Sequence, residues 1–294
     1  MTLANKALLA DRGVVRVFGD DAGKLLQGII SNDMDLLAHH SAIHAGLLSP
    51  QGKILFEFFV LKEGAGFLLE TAHDRTADLC RRLAMYKLRA QATISDASAD
   101  FRVLVVWPPP GSESDGQGTA FVDPRLPALG LRVLAKEAMA RKVFPAANEV
   151  APEAWHRHRI ALGVPEAGKD YALGNAFPHE ANFDLLHGVS FTKGRFVGQE
   201  VVSRMHNRAG VRKRVVPIEG SGPLAPGAEI TAAAAVIGTV GSAAGEQGLA
   251  MLRLDRAAEA QAKGLRLEVA GVPIVLRRAD FFRPDELLAP AGTR

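Results

Sequence analysis

The sequence predicts an α+β protein of two or three domains that ends in a small β-barrel. Three observations carry this reading. The chain has 294 residues, a length that favours more than one domain. Its first half alternates strand-like apolar runs with amphipathic helical stretches. After Arg214, short apolar runs are separated by Pro217, Gly220, Gly222, Pro223, Pro226 and Gly227, the punctuation of a small barrel.

Taken in order, Val14–Phe18 reads as a strand, and Gly19-Asp20-Asp21 offers a turn and a helix N-cap. Ala22–Ile30 follows as a helix with Leu25, Leu26, Ile29 and Ile30 on one face, closed by Asn32-Asp33. His44–Leu48 is strand-like and ends at the turn Ser49-Pro50-Gln51-Gly52. Lys53–Leu61 is a strong strand, Lys62–Gly66 a hairpin loop, and Phe67–Glu70 the returning strand. His73–Leu88 reads as an amphipathic helix sharing Leu79, Cys80, Leu83 and Tyr86 on a face, which makes Cys80 a small buried hydrophobe. Strands are expected at Ala92–Ile94 and Phe101–Trp107, a polar loop at Pro108–Gly118, and a turn into a strand across Asp123–Leu134. This order suggests a ferredoxin-like unit. Pro152–Leu162 is helical. Barrel strands are expected at Val236–Val240, Gly248–Leu254, Leu265–Val269 and Val272–Leu276, with a frayed tail at Ala291–Arg294.

Composition narrows the chemistry. With 48% hydrophobic and 23% charged residues the chain can fill ordinary cores. The net charge of +3 permits but does not demand nucleic acid. A single cysteine, Cys80, excludes an internal disulfide and a cluster held on the chain's own thiolates. His40/His44 and His156/His158 lack a neighbouring cysteine or acid at zinc spacing, so no metal site is expected. No run of 18 apolar residues occurs, so neither a membrane span nor a membrane partner is expected. The first residues lack a leader pattern, and a bacterial cytoplasm is the expected location.

The densest stretch is Lys193-Gly194-Arg195-Phe196-Val197-Gly198-Gln199-Glu200-Val201-Val202-Ser203-Arg204, after the strand-like Gly188–Phe191. It resembles the K-G-C-[YF]-x-G-Q-E signature of the YgfZ family, whose members bind folate, serve iron–sulfur cluster maintenance and are related to the aminomethyltransferase (T-protein) of the glycine cleavage system. The companions Ala22–Asp33, Leu48–Ile54, Asp123–Pro127 and Phe177–Asn182 extend the likeness over most of the chain. The family's cysteine is Arg195 here, which puts any thiol-dependent mechanism in doubt.

The resemblance implies a three-domain cloverleaf like the T-protein, with two ferredoxin-like α+β domains and a C-terminal β-barrel. It divides the chain into 1–45 plus 145–213, 46–144, and 214–294. It implies a central channel for tetrahydrofolate or a derivative, lined by Asn32, Asp33, Glu180 and Asn182, with Lys193, Gly194, Arg195, Phe196, Gly198, Gln199, Glu200 and Arg204 as the functional loop. Its partners would be a reduced folate and iron–sulfur assembly proteins or client enzymes.

The residues themselves leave alternatives open. Lys193, Gln199, Glu200 and Arg204 either converge on a ligand, arginine gripping carboxylates in bidentate fashion, or form a turn whose charges are solvated or mutually paired. Glu180 is either a pterin partner or a loop acid, and His206 either touches a ligand or lies on the surface. A folate-dependent aminomethyl or one-carbon transferase is the enzyme alternative, but only Glu57 remains of the T-protein's acidic pair. Arg159-Ile160-Ala161-Leu162-Gly163 also lacks the glutamate of its pterin segment. A third reading is an RNA-associated, tRNA-modification-linked protein using Arg208, Arg212, Lys213 and Arg214. A solvated basic strand edge is the plainer account of that run, since no aromatic residues interleave with it.

Overall fold

A computed structural model describes residues 3–109, 118–208 and 211–282. The expected polar loop lies largely outside these residues, as do the expected tail and the side chain of Arg208. The described residues form two compact units. One comprises those of Met1–Pro50, Leu55–Trp155 and Leu186–Val197, the other those of Gln51–Ile54, His156–Leu185 and Gly198–Arg294.

The first unit contains β1 (Asn5–Leu8), β2 (Arg12–Phe18), α1 (Ala22–Ile29), β3 (Ala42–Leu48), β4 (Ile54–Glu63), β5 (Gly66–Ala72), α2 (Thr76–Lys87), β6 (Thr93–Asp96), β7 (Phe101–Trp107), β8 (Thr119–Val122), β9 (Leu131–Lys136), α3 (Glu137–Ala140) and β10 (Asn148–Glu149). One five-stranded sheet runs β3-β4-β5-β2-β6 and another runs β10-β1-β7-β9-β8. Side chains alternate across a strand, and here both faces of the first sheet are buried. Val15 and Val17 of β2 and Phe58 and Val60 of β4 meet Leu25, Leu26 and Ile29 of α1 and Leu79 and Leu83 of α2. Their alternates Val14, Phe59 and Leu61 meet Phe101, Val103, Phe121 and Leu134 of the second sheet. That double burial is why β4 reads as a near-continuous apolar run.

The division between the units falls within α4 (Pro152–Ala161), and the second unit goes on to α5 (Gln199–Arg208) and a closed barrel of β11 (Lys213–Gly220), β12 (Glu229–Ala232), β13 (Ala235–Ala244), β14 (Gln247–Arg253), β15 (Leu267–Val269) and β16 (Val272–Leu276), with α6 (Leu254–Ala262) between the last two hairpins. The order β11-β14-β13-β12-β15-β16 closes where Ile218 pairs with Leu276, so no strand edge is left unpaired. Val216, Ile218, Ile230, Ile237, Val240, Leu252 and Ile274 fill it.

Several expectations are corrected. Gly188–Phe191 is not a strand; Ser190 N–H donates to Ser31 O at 2.9 Å instead. The signature is not one turn, because from Gln199 it is helix α5. Asp21 makes no side-chain cap on α1; its carboxylate accepts the Gln91 N–H at 2.7 Å. Cys80 is half-buried rather than buried. β2 shares a sheet with β5 and β6, so that sheet runs across the expected boundary between residues 45 and 46.

Gly130 turns the chain into β9 at φ +93°, where a Cβ would collide with the Val106 carbonyl oxygen. Gly130→Ala is expected to lower stability by about 2–3 kcal/mol, read as an earlier midpoint in urea unfolding followed by circular dichroism.

Candidate functional site

In the first unit the segment 186–193 is sewn to the end of α1. A helix leaves its last carbonyls without donors, and here one cation answers three carbonyls at and just beyond the end of α1. The buried Lys193 ammonium donates to Gln27 O at 2.8 Å, Ile30 O at 2.9 Å and Asn32 O at 2.7 Å. An ammonium has three donors, and all are used. Burial pushes it down to about 8, against the pull of Asp33 and Asp35. The Asn32 amide donates to His44 O and His187 O, both at 2.8 Å, and its oxygen accepts Asp33 N–H at 2.8 Å. Asp33 accepts from Gln27 Nε2 at 2.8 Å and from Asp35 N–H at 3.0 Å. Ser31 Oγ donates to Gly188 O at 2.6 Å and accepts Gly46 N–H at 2.8 Å. Phe196 is buried, its ring centroid 5.4 Å from Lys193 Nζ, while Gly194 and Arg195 are exposed.

A buried ionic chain runs on from there. His44 lies 2.9 Å from Leu186 O through Nδ1 and 2.9 Å from Glu57 through Nε2. Arg125 stands 4.0 Å from Glu57 and grips Asp123 at 3.0 and 2.8 Å. Arg132 touches Asp123 at 3.4 Å and grips Glu70 at 2.7 and 2.6 Å, and Arg12 meets Glu70 at 2.7 Å. The guanidinium carbons of Arg125 and Arg132 lie 4.9 and 4.6 Å from the Phe59 ring centroid. Burial alone would raise the carboxyls of Glu70 and Asp123. Arg132 and Arg12 outweigh it at Glu70, and Arg125 and Arg132 at Asp123, so both are held below the ordinary range. Glu57 is thus one link in this chain.

In the second unit, Gly198 at φ +82° opens α5, and the exposed Glu200 pairs with Arg204 at 2.9 Å on the surface of that helix. Glu180 accepts Phe177 N–H at 2.8 Å. Lys53 Nζ sits 3.2 Å from the Phe177 ring centroid; burial lowers its pKa, Glu180 opposing and Lys213 reinforcing the shift. Asn182, at φ +62°, donates to Val215 O at 2.9 Å and accepts from Arg214 at 3.1 Å. Arg214 is itself buried and grips Asp184 at 2.9 and 2.9 Å, so the expected basic surface run loses it. His179 is 1% exposed, 5.9 Å from the exposed ring of His206. Burial first, then Arg214 and His206, push His179 down to about 4 against Asp184. Arg159 is buried too, donating to Asp170 at 2.7 Å and to Ser242 at 2.6 Å.

The structure therefore divides the sequence-derived set. Asn32, Asp33 and Lys193 come together in the first unit, and Glu180 and Asn182 share a segment of the second. Asn32, Asn182 and Lys193 have their side-chain donors engaged by carbonyls, while Arg195, Glu200 and Arg204 face solvent. The ionic chain from His44 to Arg12 was missed, although Asp123 and Arg125 had been singled out; nothing in sequence spacing signals that they meet Glu57 and Glu70.

Residues 212–284 match the family model described as the CAF17 C-terminal β-barrel domain. The iron–sulfur cluster assembly factor IBA57 of Mus musculus, named mitochondrial, is 33% identical over 275 residues, 83% of this chain and 76% of that protein. The chain belongs to the IBA57 family. The Homo sapiens IBA57 is 32% identical over 272 residues, with the same shares of 83% and 76%. The IBA57 homologue of Mycosarcoma maydis is 35% identical over 229 residues, 72% of this chain but 56% of its own length. The chain thus spans about half the length of that fungal relative. The aminomethyltransferase T of the glycine cleavage system from Bartonella henselae superposes with a TM-score of 0.75 at 14% identity, over 96% of this chain and 87% of that one. At that identity the likeness shows the fold, which is the T-protein fold with a six-stranded barrel. IBA57 replaces the related YgfZ as the family shown. The cytoplasmic expectation is overturned, because the IBA57 relatives are mitochondrial by name; that expectation rested on the first few residues, and a folded domain carries no address of its own.

Two outcomes follow from the geometry. Replacing Lys193 by Met leaves three carbonyls without their donor and should cost roughly 3 kcal/mol, seen as faster hydrogen exchange at the end of α1 and a lower melting temperature. His179 should titrate near pH 4 by NMR rather than at its ordinary 6.5. Between those values the unfolded chain takes up a proton that folded His179 refuses, so stability falls as pH drops, by about 2–4 kcal/mol across the window. His179→Gln should flatten that slope.

Proposed function

We propose that this protein is an assembly factor for iron–sulfur enzymes, acting on clusters held by the thiolates of other proteins. The observation that carries the reading is membership of the IBA57 family by a chain with one cysteine. That cysteine, Cys80, is half-buried, and burial and then Asp96 raise its thiol. A thiol so placed is a poor ligand or nucleophile. Arg195, at the position of the signature cysteine, is exposed and offers a cationic fork for a carboxylate rather than a thiolate. The partners would be cluster-carrying assembly proteins or client enzymes.

A reduced folate is the small ligand this reading keeps. The residues present fit it only in part. Asn32, Asn182 and Lys193 hold their own backbone, which leaves Arg195, Gln199 and Arg204 as accessible donors. These suit the carboxylate tail better than the pterin ring, so no reaction step is assigned to the folate.

Cells lacking this chain should lose several-fold activity of iron–sulfur enzymes, with control enzymes unaffected and activity restored by the wild-type gene. Unchanged activity would end the assembly reading. Calorimetric titration with 5-formyltetrahydrofolate, beside Arg195→Cys, tests the ligand separately: saturable binding by both supports a folate site outside the missing thiol, and binding by neither removes folate from the proposal.

A further inference from the structure

The end of α2 departs from the rest of the first unit. Leu79 and Leu83 point into the core, but Met85 is 67% exposed and Leu88, the residue that ends the helix, is 87% exposed. Leu88 also sits at φ +47°, a region that an L-residue with a branched side chain enters at a cost. The turn is not loose. Asp21 N–H donates to Gln91 O at 3.1 Å and Gln91 N–H to the Asp21 carboxylate at 2.7 Å, tying Gln91 to the turn that follows β2. Two large apolar side chains thus stand in water at a hydrogen-bonded corner.

The charges on this segment of α2 and its following turn share one sign, while across the turn Asp21 holds its carboxylate on the Gln91 N–H and Asp20 is exposed. Between Leu79 and Ser95 the chain carries Arg81, Arg82, Lys87 and Arg89 and no acid. Arg81 is exposed but paired with Asp78, which Arg75 also meets. Arg89 is exposed, and Lys87 is half-exposed. Cations are favoured at a helix C-terminus in any case, which accounts for Lys87 and Arg89 but not for Met85 and Leu88 in water.

We infer that this corner is a peripheral contact for an anionic lipid surface, with Leu88 and Met85 entering the headgroup layer and Lys87 and Arg89 facing lipid charge. Size decides between a bilayer and a protein partner. A stable protein interface needs roughly 800 Å² a side around an apolar centre, and α2 offers two large apolar side chains. A bilayer accepts a few protruding apolar groups ringed by cations, and affinity then grows with anionic lipid content. The expectation of no membrane partner rested on the length of apolar runs, which bears on spans and not on contacts of this kind.

The test uses the full chain and vesicles of phosphatidylcholine, with or without a third of phosphatidylglycerol, in a flotation assay. Wild type should float with the mixed vesicles and stay behind with pure phosphatidylcholine, and high salt should release it. Leu88→Ser with Met85→Ser should weaken binding about tenfold, and so should Lys87→Gln with Arg89→Gln. All four positions are on the surface, and an unchanged melting temperature establishes that the variants are folded. The inference falls if wild type fails to float, or if neither double variant changes its partition. It falls equally if soluble polyglutamate binds this corner while vesicles do not, since the surface would then be one for acidic protein segments.

Discussion

The Lys193 ammonium, closed on three carbonyls around the end of α1, is the interaction on which the candidate site of the first unit depends. It converts a sequence separation of more than 160 residues into three contacts of 2.7–2.9 Å. Asn32 and Ser31 extend the same seam, each bridging the turn after α1 to the 186–190 segment. A cation in such a place is costly to bury, and three oriented carbonyl dipoles offset that cost. The lysine that opens the signature thus holds the chain's own backbone, whereas Arg195, two residues on, is exposed.

Burial of paired charge is a recurring device in both units. Arg12, Arg132 and Arg125 face Glu70, Asp123 and Glu57 in the first. Arg159 faces Asp170 and Arg214 faces Asp184 in the second. Such pairs add little net stability compared with apolar packing, yet removing one partner strands the other. They fix which strands and loops meet, because a guanidinium fork accepts a carboxylate in few orientations. The same networks engage residues that the sequence offers as candidates. Glu57 no longer stands as a free acid for transfer chemistry, and Arg214 no longer stands in a basic surface patch.

Legibility followed periodicity. α1 was readable because Leu25, Leu26 and Ile29 recur at helical spacing, and β7 because Val103–Trp107 is one apolar run. The hairpin of β4 and β5 was readable because apolar runs flank a Gly-containing turn, although both strands run further than the apolar residues do. Elements stabilised by their neighbours were missed. β1 is four residues, Asn5–Leu8, and exists through its pairing with β7 and β10. β11 hides behind Lys213, Arg214 and Pro217 and is held by seven residue pairs with β14. α5 was concealed by reading Gly198 as one more turn residue, when its positive φ instead starts a helix.

The sequence by itself determined the α+β class, the barrel at the C-terminal end, the kinship with T-protein-like families and the absence of a thiolate set. These are properties of composition, periodicity and contiguous motif, which a linear chain carries. The tertiary structure decided which polar residues are available. Lys193, Asn32, Asn182 and Arg214 look alike on the page to Arg195 and Arg204, since each is a polar residue in or near a motif. Only the fold engages the first four with buried partners and leaves the last two in water, because hydrogen-bond partners at long sequence separation are set by how strands and helix ends meet.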